Sequence, residues 1–259
     1  MLDLEQIEDF YPEKIRPFKR NMLREYLQYK ILEKIYSSEY SRNLTFMGGT
    51  ALRIIHSNDR FSEDLDFDNL GLKKVNFIDL TESIKRKLYL EGYKVETKNV
   101  IDKVFRSHIK IKEILYNYGL SEHPEEKLNI QVDTEPQNFE YTPNKKILNK
   151  FDVFIRVNVV PLDVLLSQKV TAIFTRPRKM GRDFYDVVFL LGKTKPDLNY
   201  LREKLNIQDY SELKKNILSL CDEVDFEKLA RDIEPFLIDN NGIKKVLLFK
   251  EYIKDYNFY

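Results

Sequence analysis

Phe46-Met47-Gly48-Gly49-Thr50-Ala51-Leu52-Arg53, followed by Arg60-Phe61-Ser62-Glu63-Asp64-Leu65-Asp66-Phe67-Asp68, is the stretch that decides the fold. Residues 44–47 read as a short strand. Gly48-Gly49 ends it, and residues 50–56 read as a helix with Ala51, Leu52, Ile54 and Ile55 inward. Residues 65–68 alternate apolar and acidic, the pattern of a half-buried strand. Leu65 and Phe67 then face the core, and Asp64, Asp66 and Asp68 share the other face. Of these, Asp68 reads as a solvated neighbour rather than a ligand.

Carboxylates crowded on one face repel each other unless a cation sits between them. A hard divalent ion answers that need, because it prefers carboxylate and phosphate oxygens. Asp64 and Asp66 are therefore the candidate metal ligands, with Mg²⁺ as the expected ion and Mn²⁺ as the alternative. A Gly-Gly pair ahead of a helix lets the backbone approach a ligand closely. The helix N-terminus behind it offers N–H groups and positive dipole to phosphate. Gly48, Gly49 and Thr50 form the candidate phosphate cradle, Thr50 either capping the helix or touching phosphate. Arg60 and Ser62, in the loop that enters the acidic strand, join the candidate nucleotide-binding set.

A third carboxylate is expected from residues 127–135. In Asn129-Ile130-Gln131-Val132-Asp133-Thr134-Glu135, Ile130 and Val132 share one face and the polar residues share the other. Asp133 is the candidate, completing the metal site or taking the proton from an attacking hydroxyl. Glu135 is the alternative.

A second constellation lies downstream, from Lys169 through Arg176-Pro177-Arg178-Lys179-Met180-Gly181-Arg182-Asp183-Phe184-Tyr185-Asp186. Lys169 and Arg176 are two helical turns apart, and Asp183 and Asp186 share a helix face. Lys169 is the candidate triphosphate ligand, with Arg176 and Arg182 beside it. Asp183 and Asp186 would order the site through Arg182, Lys169 or the nucleotide.

Outside these motifs the pattern divides the chain. Residues 17–36 read as an amphipathic helix on Leu23, Leu27, Ile31 and Ile35, which recur among Arg24, Glu25, Lys30 and Glu33. A helix over 77–90 and strands over 94–97, 104–114, 127–135 and 151–159 follow. After that the reading is helical: 162–175, 181–191, 198–205, 210–220, 226–236 and 241–256. This is an α+β fold, with an α+β domain over 1–160 and a helical domain over 161–259.

Composition narrows the function classes. A net charge of +1 gives no global field for nucleic acid or membrane, so any such contact must be local. One cysteine excludes an intramolecular disulfide, and three scattered histidines show no zinc-ligand spacing. The acidic N-terminus lacks a secretory pattern and no apolar run is long enough to span a bilayer, so a cytoplasmic protein without membrane contact is expected.

The two motifs together resemble those of the AbiEii/AbiGii-type nucleotidyltransferase toxins. The resemblance runs over roughly residues 20–250. It implies a DNA-polymerase-β-like nucleotidyltransferase domain with a mixed sheet, followed by a helical domain. It implies metal binding by Asp64 and Asp66, and a need for Lys169 and Asp183 in activity and nucleotide handling. It also implies a toxin of a toxin–antitoxin or abortive-infection phage-defence pair, with a cognate antitoxin. Some relatives add pyrimidine nucleotides to the tRNA 3′ end and block aminoacylation, and others are linked to GTP. The expected activity is transfer of NMP from an NTP to an acceptor hydroxyl, foremost at a tRNA 3′ end. Two rivals stand beside it: nucleotidylation of protein hydroxyls at the same site, and a nucleotide-binding module without turnover.

Overall fold

The computed structural model describes residues 1–258, which form two compact units. The first comprises Met1–Ser57 and Ser62–Val159. The second comprises Asn58–Phe61 and residues 160–258. The short segment 58–61, read from sequence as part of the first domain, thus belongs with the helices.

The first unit is built on seven strands: β1 Leu44–Met47, β2 Leu65–Asn69, β3 Val95–Ile101, β4 Phe105–Ile111, β5 Leu128–Glu135, β6 Asn144–Lys150 and β7 Val153–Val159. Their order in the sheet is β3-β4-β5-β2-β1-β7-β6. The β2/β5 and β1/β7 pairs are parallel and the others antiparallel, so the sheet is mixed. One face is apolar: Leu44, Phe46, Leu65, Phe67, Ile109, Ile130, Val132, Val157 and Val159 are all buried. Helices α1 Leu4–Glu8, α2 Lys19–Tyr36, α3 Gly48–His56, α4 Lys74–Leu90 and α5 Ile114–Asn117 complete the unit. α2 and α4 pack against the sheet and each other.

Strand β6 escapes a reading by pattern. Its sequence, Asn-Lys-Lys-Ile-Leu-Asn-Lys, buries only Leu148. A polar strand at the edge of a sheet is how proteins discourage further pairing. Helix α2 differs from the amphipathic expectation. Its charged residues Glu25, Lys30 and Lys34 are buried as well. Lys30 reaches Asp152 and Glu91, and Lys34 also meets Glu91. Glu25 accepts from Tyr11 at 2.8 Å, Lys150 at 2.8 Å and Arg53 at 2.9 Å. Burial alone would raise the Glu25 pKa, but the Arg53 and Lys150 charges more than offset it and hold it below the usual value. Buried charges persist where they are paired this way.

The second unit is helical: α6 Leu162–Thr175, α7 Gly181–Leu191, α8 Leu198–Leu205, α9 Tyr210–Cys221, α10 Phe226–Ile233, α11 Lys244–Leu247 and α12 Phe249–Asp255. The rings of Phe184, Phe226 and Phe249 meet in its core. The single helix expected over 241–256 is instead a 3₁₀ turn, α11 and α12. Gly181 is required where it stands, since a Cβ there would lie 2.0 Å from the Leu229 carbonyl oxygen. No helix among the described residues is long and apolar enough to cross a membrane.

Candidate active site

The polar face of the sheet carries the acidic residues. β1 ends at Met47, and α3 begins at Gly48 itself, so both glycines lie within the first helical turn. Gly48 has φ +76°, a region costly for a side chain. A Cβ there would also stand 2.2 Å from Asp66 Oδ2. The Asp66 carboxylate therefore lies directly against the start of α3, where backbone N–H groups have no helical acceptor. The glycine reading gains a specific cause: Gly48 yields its side-chain space to Asp66.

Thr50 is buried and neither caps the helix nor faces outward. Its hydroxyl donates to the Asp64 carbonyl oxygen, tying the acidic segment to α3. From α2, Gln28 Nε2 donates to the Ser62 and Glu63 carbonyls, each at 3.0 Å. Ser62 itself is half-buried. Arg53, the last residue of the motif's first half, holds Glu25. Sequence reading missed Gln28, because nothing in α2 marks which polar residue turns to a distant loop.

In the register, Asp66 pairs with Met47 on one side and with Asp133 on the other, and Asp133 pairs with Arg106 of β4. Directly opposed residues place side chains on one face. Asp66, Asp133 and Arg106 thus run side by side. Arg106 Nε donates to Asp133 Oδ1 at 3.0 Å and Nη2 to Oδ2 at 2.8 Å, and Gln131 Nε2 adds a bond to Oδ2 at 3.0 Å. The hydrogen bond to Asp133 is the main reason that the Arg106 pKa is raised, with the negative charges of Asp133, Asp64 and Asp66 adding to it. Arg106 was not among the residues singled out from sequence. Glu135, the alternative third carboxylate, is exposed at the end of β5, opposite Asp68.

Asp68 departs from expectation. It is buried, not solvated, accepting from the Gln137 amide at 2.9 Å and the Tyr141 hydroxyl at 2.6 Å. The chain after β5 folds back over this part of the face, which no local pattern reveals.

Hard oxygen donors at Asp64 and Asp66, beside a glycine that leaves the Asp66 carboxylate its space, suit a divalent cation. Among the described residues, no group of three or more His, Cys, Asp or Glu side chains stands arranged to hold a metal. Asp133, the expected third donor, has both oxygens engaged by Arg106 and Gln131.

The second constellation is self-contained in the helical unit. Lys169 Nζ lies 3.0 Å from Asp183 Oδ1 and 2.9 Å from Asp186 Oδ2. Arg176 Nη1 lies 3.0 Å from Asp183 Oδ2. Arg60 grips Asp186 with Nε at 2.7 Å and Nη2 at 2.6 Å, and its Nη1 donates to the Phe61 carbonyl at 2.9 Å. Asn58 Nδ2 adds a bond to Asp186 at 2.9 Å. Burial would raise the Asp186 pKa, but the Arg60 and Lys169 charges outweigh it and bring it down to about 2.

Arg60 was expected among the nucleotide-binding residues, and Asp186 was expected to order the site through Arg182, Lys169 or the nucleotide; of these Asp186 meets Lys169. Arg60 and Asp186 form a buried ion pair, with 2% and 0% of their side chains exposed. The remaining cations differ. Lys169 is 11% exposed and Arg176 41%. Arg60, Lys169 and Arg176 carry three positive charges against two on Asp183 and Asp186, so one is in surplus, toward the Arg176 rim. Arg182 is half-buried. Lys179 caps α6 through the Phe174 and Arg176 carbonyls, and Arg178 pairs with Asp232.

A mixed sheet with carboxylates at and just before a strand beside a glycine-led helix is the arrangement expected of the nucleotidyltransferase class. A family model described as "Nucleotidyl transferase AbiEii toxin, Type IV TA system" matches residues 30–244, and the chain belongs to that family. Among solved structures, JHP933 from Helicobacter pylori is similar at 17% identity and TM-score 0.55, over 90% of this chain and 91% of that one. A second H. pylori structure is similar at 17% identity and TM-score 0.54, over 90% and 94%. At this identity the likeness speaks for the fold. No curated protein matches the sequence.

Proposed function

We propose that the chain is a toxin enzyme that transfers NMP from an NTP to an acceptor hydroxyl at the 3′ end of tRNA, blocking translation until a cognate antitoxin counters it. The observation that carries the chemistry is the Asp66 carboxylate packed against Gly48 at the start of α3, with Asp64 held one residue before β2 by Thr50. Membership of a nucleotidyltransferase toxin family supports the same reading.

In this reading Asp64 and Asp66 hold Mg²⁺, or Mn²⁺ in its place, and Asp133 completes the carboxylate set. The bound ion supplies charge neutralisation on the transferring phosphoryl group and activation of the attacking oxygen. The N–H groups of Gly48 and Gly49 at the start of α3 donate to phosphate oxygens. Thr50 and Gln28 fix the acidic segment so that its carboxylates need not reorganise during reaction. In the helical unit, Lys169 with Arg176 and Arg182 forms the phosphate-binding cation set, and Asp183 and Asp186 hold Lys169 in place.

The test is incubation of the purified protein with each α-labelled NTP, Mg²⁺ and total tRNA, beside Asp66→Ala. Label on tRNA from one nucleotide, lost in the variant, is the expected result. Label on protein instead would reassign the acceptor. Nucleotide binding by a well-folded protein with no labelled product would leave a binding module.

A further inference from the structure

The third carboxylate of the acidic face already has a cation on it. Both oxygens of Asp133 accept from Arg106, in the two-pronged geometry that a guanidinium makes with a carboxylate. Three carboxylates on one face need positive charge near them whether or not a ligand is present, and Arg106 supplies it in register with Asp133 and one strand beyond it. For Asp133 to act beside Asp64 and Asp66, as ligand or as proton acceptor, it must first be released. A guanidinium and a divalent cation cannot share its oxygens without strong repulsion.

Arg106 is built to let go. Its side chain is 42% exposed, whereas that of Asp133 is 16% exposed. Its neighbour on the far side is Val100 of β3, an apolar residue that offers the guanidinium no alternative acceptor. The planar fork that grips a carboxylate grips a phosphate equally well, so exchange of one for the other preserves its hydrogen bonds.

We propose that Arg106 is a positioning residue that occupies Asp133 in the resting protein and passes to the phosphate oxygens of an incoming nucleotide, releasing Asp133 to join Asp64 and Asp66. The inference rests on the reading that Asp64 and Asp66 bind the metal. It gives the site an order of events: nucleotide arrival draws Arg106 off, and the carboxylate set is complete only then. Metal without nucleotide should bind weakly, because it competes with Arg106.

The experiment measures Mn²⁺ binding to the full chain without nucleotide, by titration with electron paramagnetic resonance, for wild type, Arg106→Ala, Arg106→Gln and Asp66→Ala. NTP affinity in saturating Mn²⁺ is measured in parallel, and circular dichroism checks folding. Both Arg106 variants should bind Mn²⁺ at least about threefold tighter than wild type, and NTP at least about tenfold more weakly. A residue that merely braced the sheet would move neither in this opposed sense. Arg106 variants that bind Mn²⁺ no tighter than wild type, while Asp66→Ala loses it, would overturn the Arg106 proposal alone. Asp66→Ala that binds Mn²⁺ as wild type does would instead remove the metal reading on which the proposal stands.

Discussion

Asp186→Asn keeps the size of the side chain and removes its charge, and the surroundings set the expected cost. Asp186 is fully buried and receives two bonds from Arg60, one from Asn58 and an ion pair from Lys169. Lys169 retains Asp183 as a partner in the variant, but Arg60 retains no carboxylate and is itself 2% exposed. Removing one member of such a pair costs about 3–5 kcal/mol, against a total of about 5–15 kcal/mol for a typical domain. In urea the unfolding midpoint should fall by about 1.5–2.5 M for a slope of roughly 2 kcal/mol per molar. The double variant Arg60→Met/Asp186→Leu, which replaces the pair by apolar side chains, should recover much of the loss. A pH series gives an independent check. The Asp186 pKa is depressed to about 2, so its contribution is present above the unfolded value of about 4 and is lost as pH falls toward 2. Wild type should lose about 2 kcal/mol over that window from this group, and Asp186→Asn should not. An Asp186→Asn protein as stable as wild type but weaker for NTP would refute the reasoning, since Asp186 would then be serving a ligand rather than the fold.

Three further outcomes follow from single contacts. Gly48→Ala puts a methyl group into the Asp66 carboxylate at positive φ, so labelled-NTP transfer should fall at least about 100-fold while circular dichroism stays native. Thr50→Val removes the hydroxyl that holds the Asp64 carbonyl; kcat should drop with little change in KM for NTP, and thermal melting should show a loss of about 1 kcal/mol. Gly181→Ala drives a Cβ against the Leu229 carbonyl, a backbone atom that cannot swing aside; chemical denaturation should register a loss of about 1–3 kcal/mol with NTP affinity preserved.

The parts of the fold that show in sequence are those whose cause is local. Leu65 and Phe67 alternate with acids because one face of β2 meets the core, and that alternation is visible to anyone reading five residues. Gly48 announces itself because the backbone there takes a conformation that disfavours side chains. What stays hidden depends on partners far along the chain. Asp68 looks like Asp66 by pattern, yet it is buried, because Gln137 and Tyr141 return to it from beyond β5. Glu25, Lys30 and Lys34 look like a solvated stripe, yet Arg53, Lys150, Asp152 and Glu91 neutralise them in the interior. Arg106 sits in Phe105-Arg106-Ser107-His108, a stretch with nothing to distinguish it, and acquires meaning only when the register sets it beside Asp133.

This division bears on how the motifs themselves are interpreted. In Gly48-Gly49-Thr50-Ala51-Leu52-Arg53, Gly48 makes room for the Asp66 carboxylate, but Thr50 grips the segment bearing Asp64 and Arg53 anchors α3 to Glu25. In the second motif, Asp186 is held by Arg60 in the interior, while Lys169 and Arg176 retain some exposure beside Asp183. Each motif therefore mixes groups that can meet a ligand with groups that only fix the first kind in place. A change to either kind is expected to lower activity, since a reacting group misplaced by about 1 Å can cost as much as one that binds poorly. Loss of toxicity alone cannot sort them. The sorting variable is the exposure of the charged atoms, and the matching measurement is stability beside activity. Loss of both together marks Arg53, Arg60 and Asp186, and loss of activity at unchanged stability marks Asp64 and Asp66.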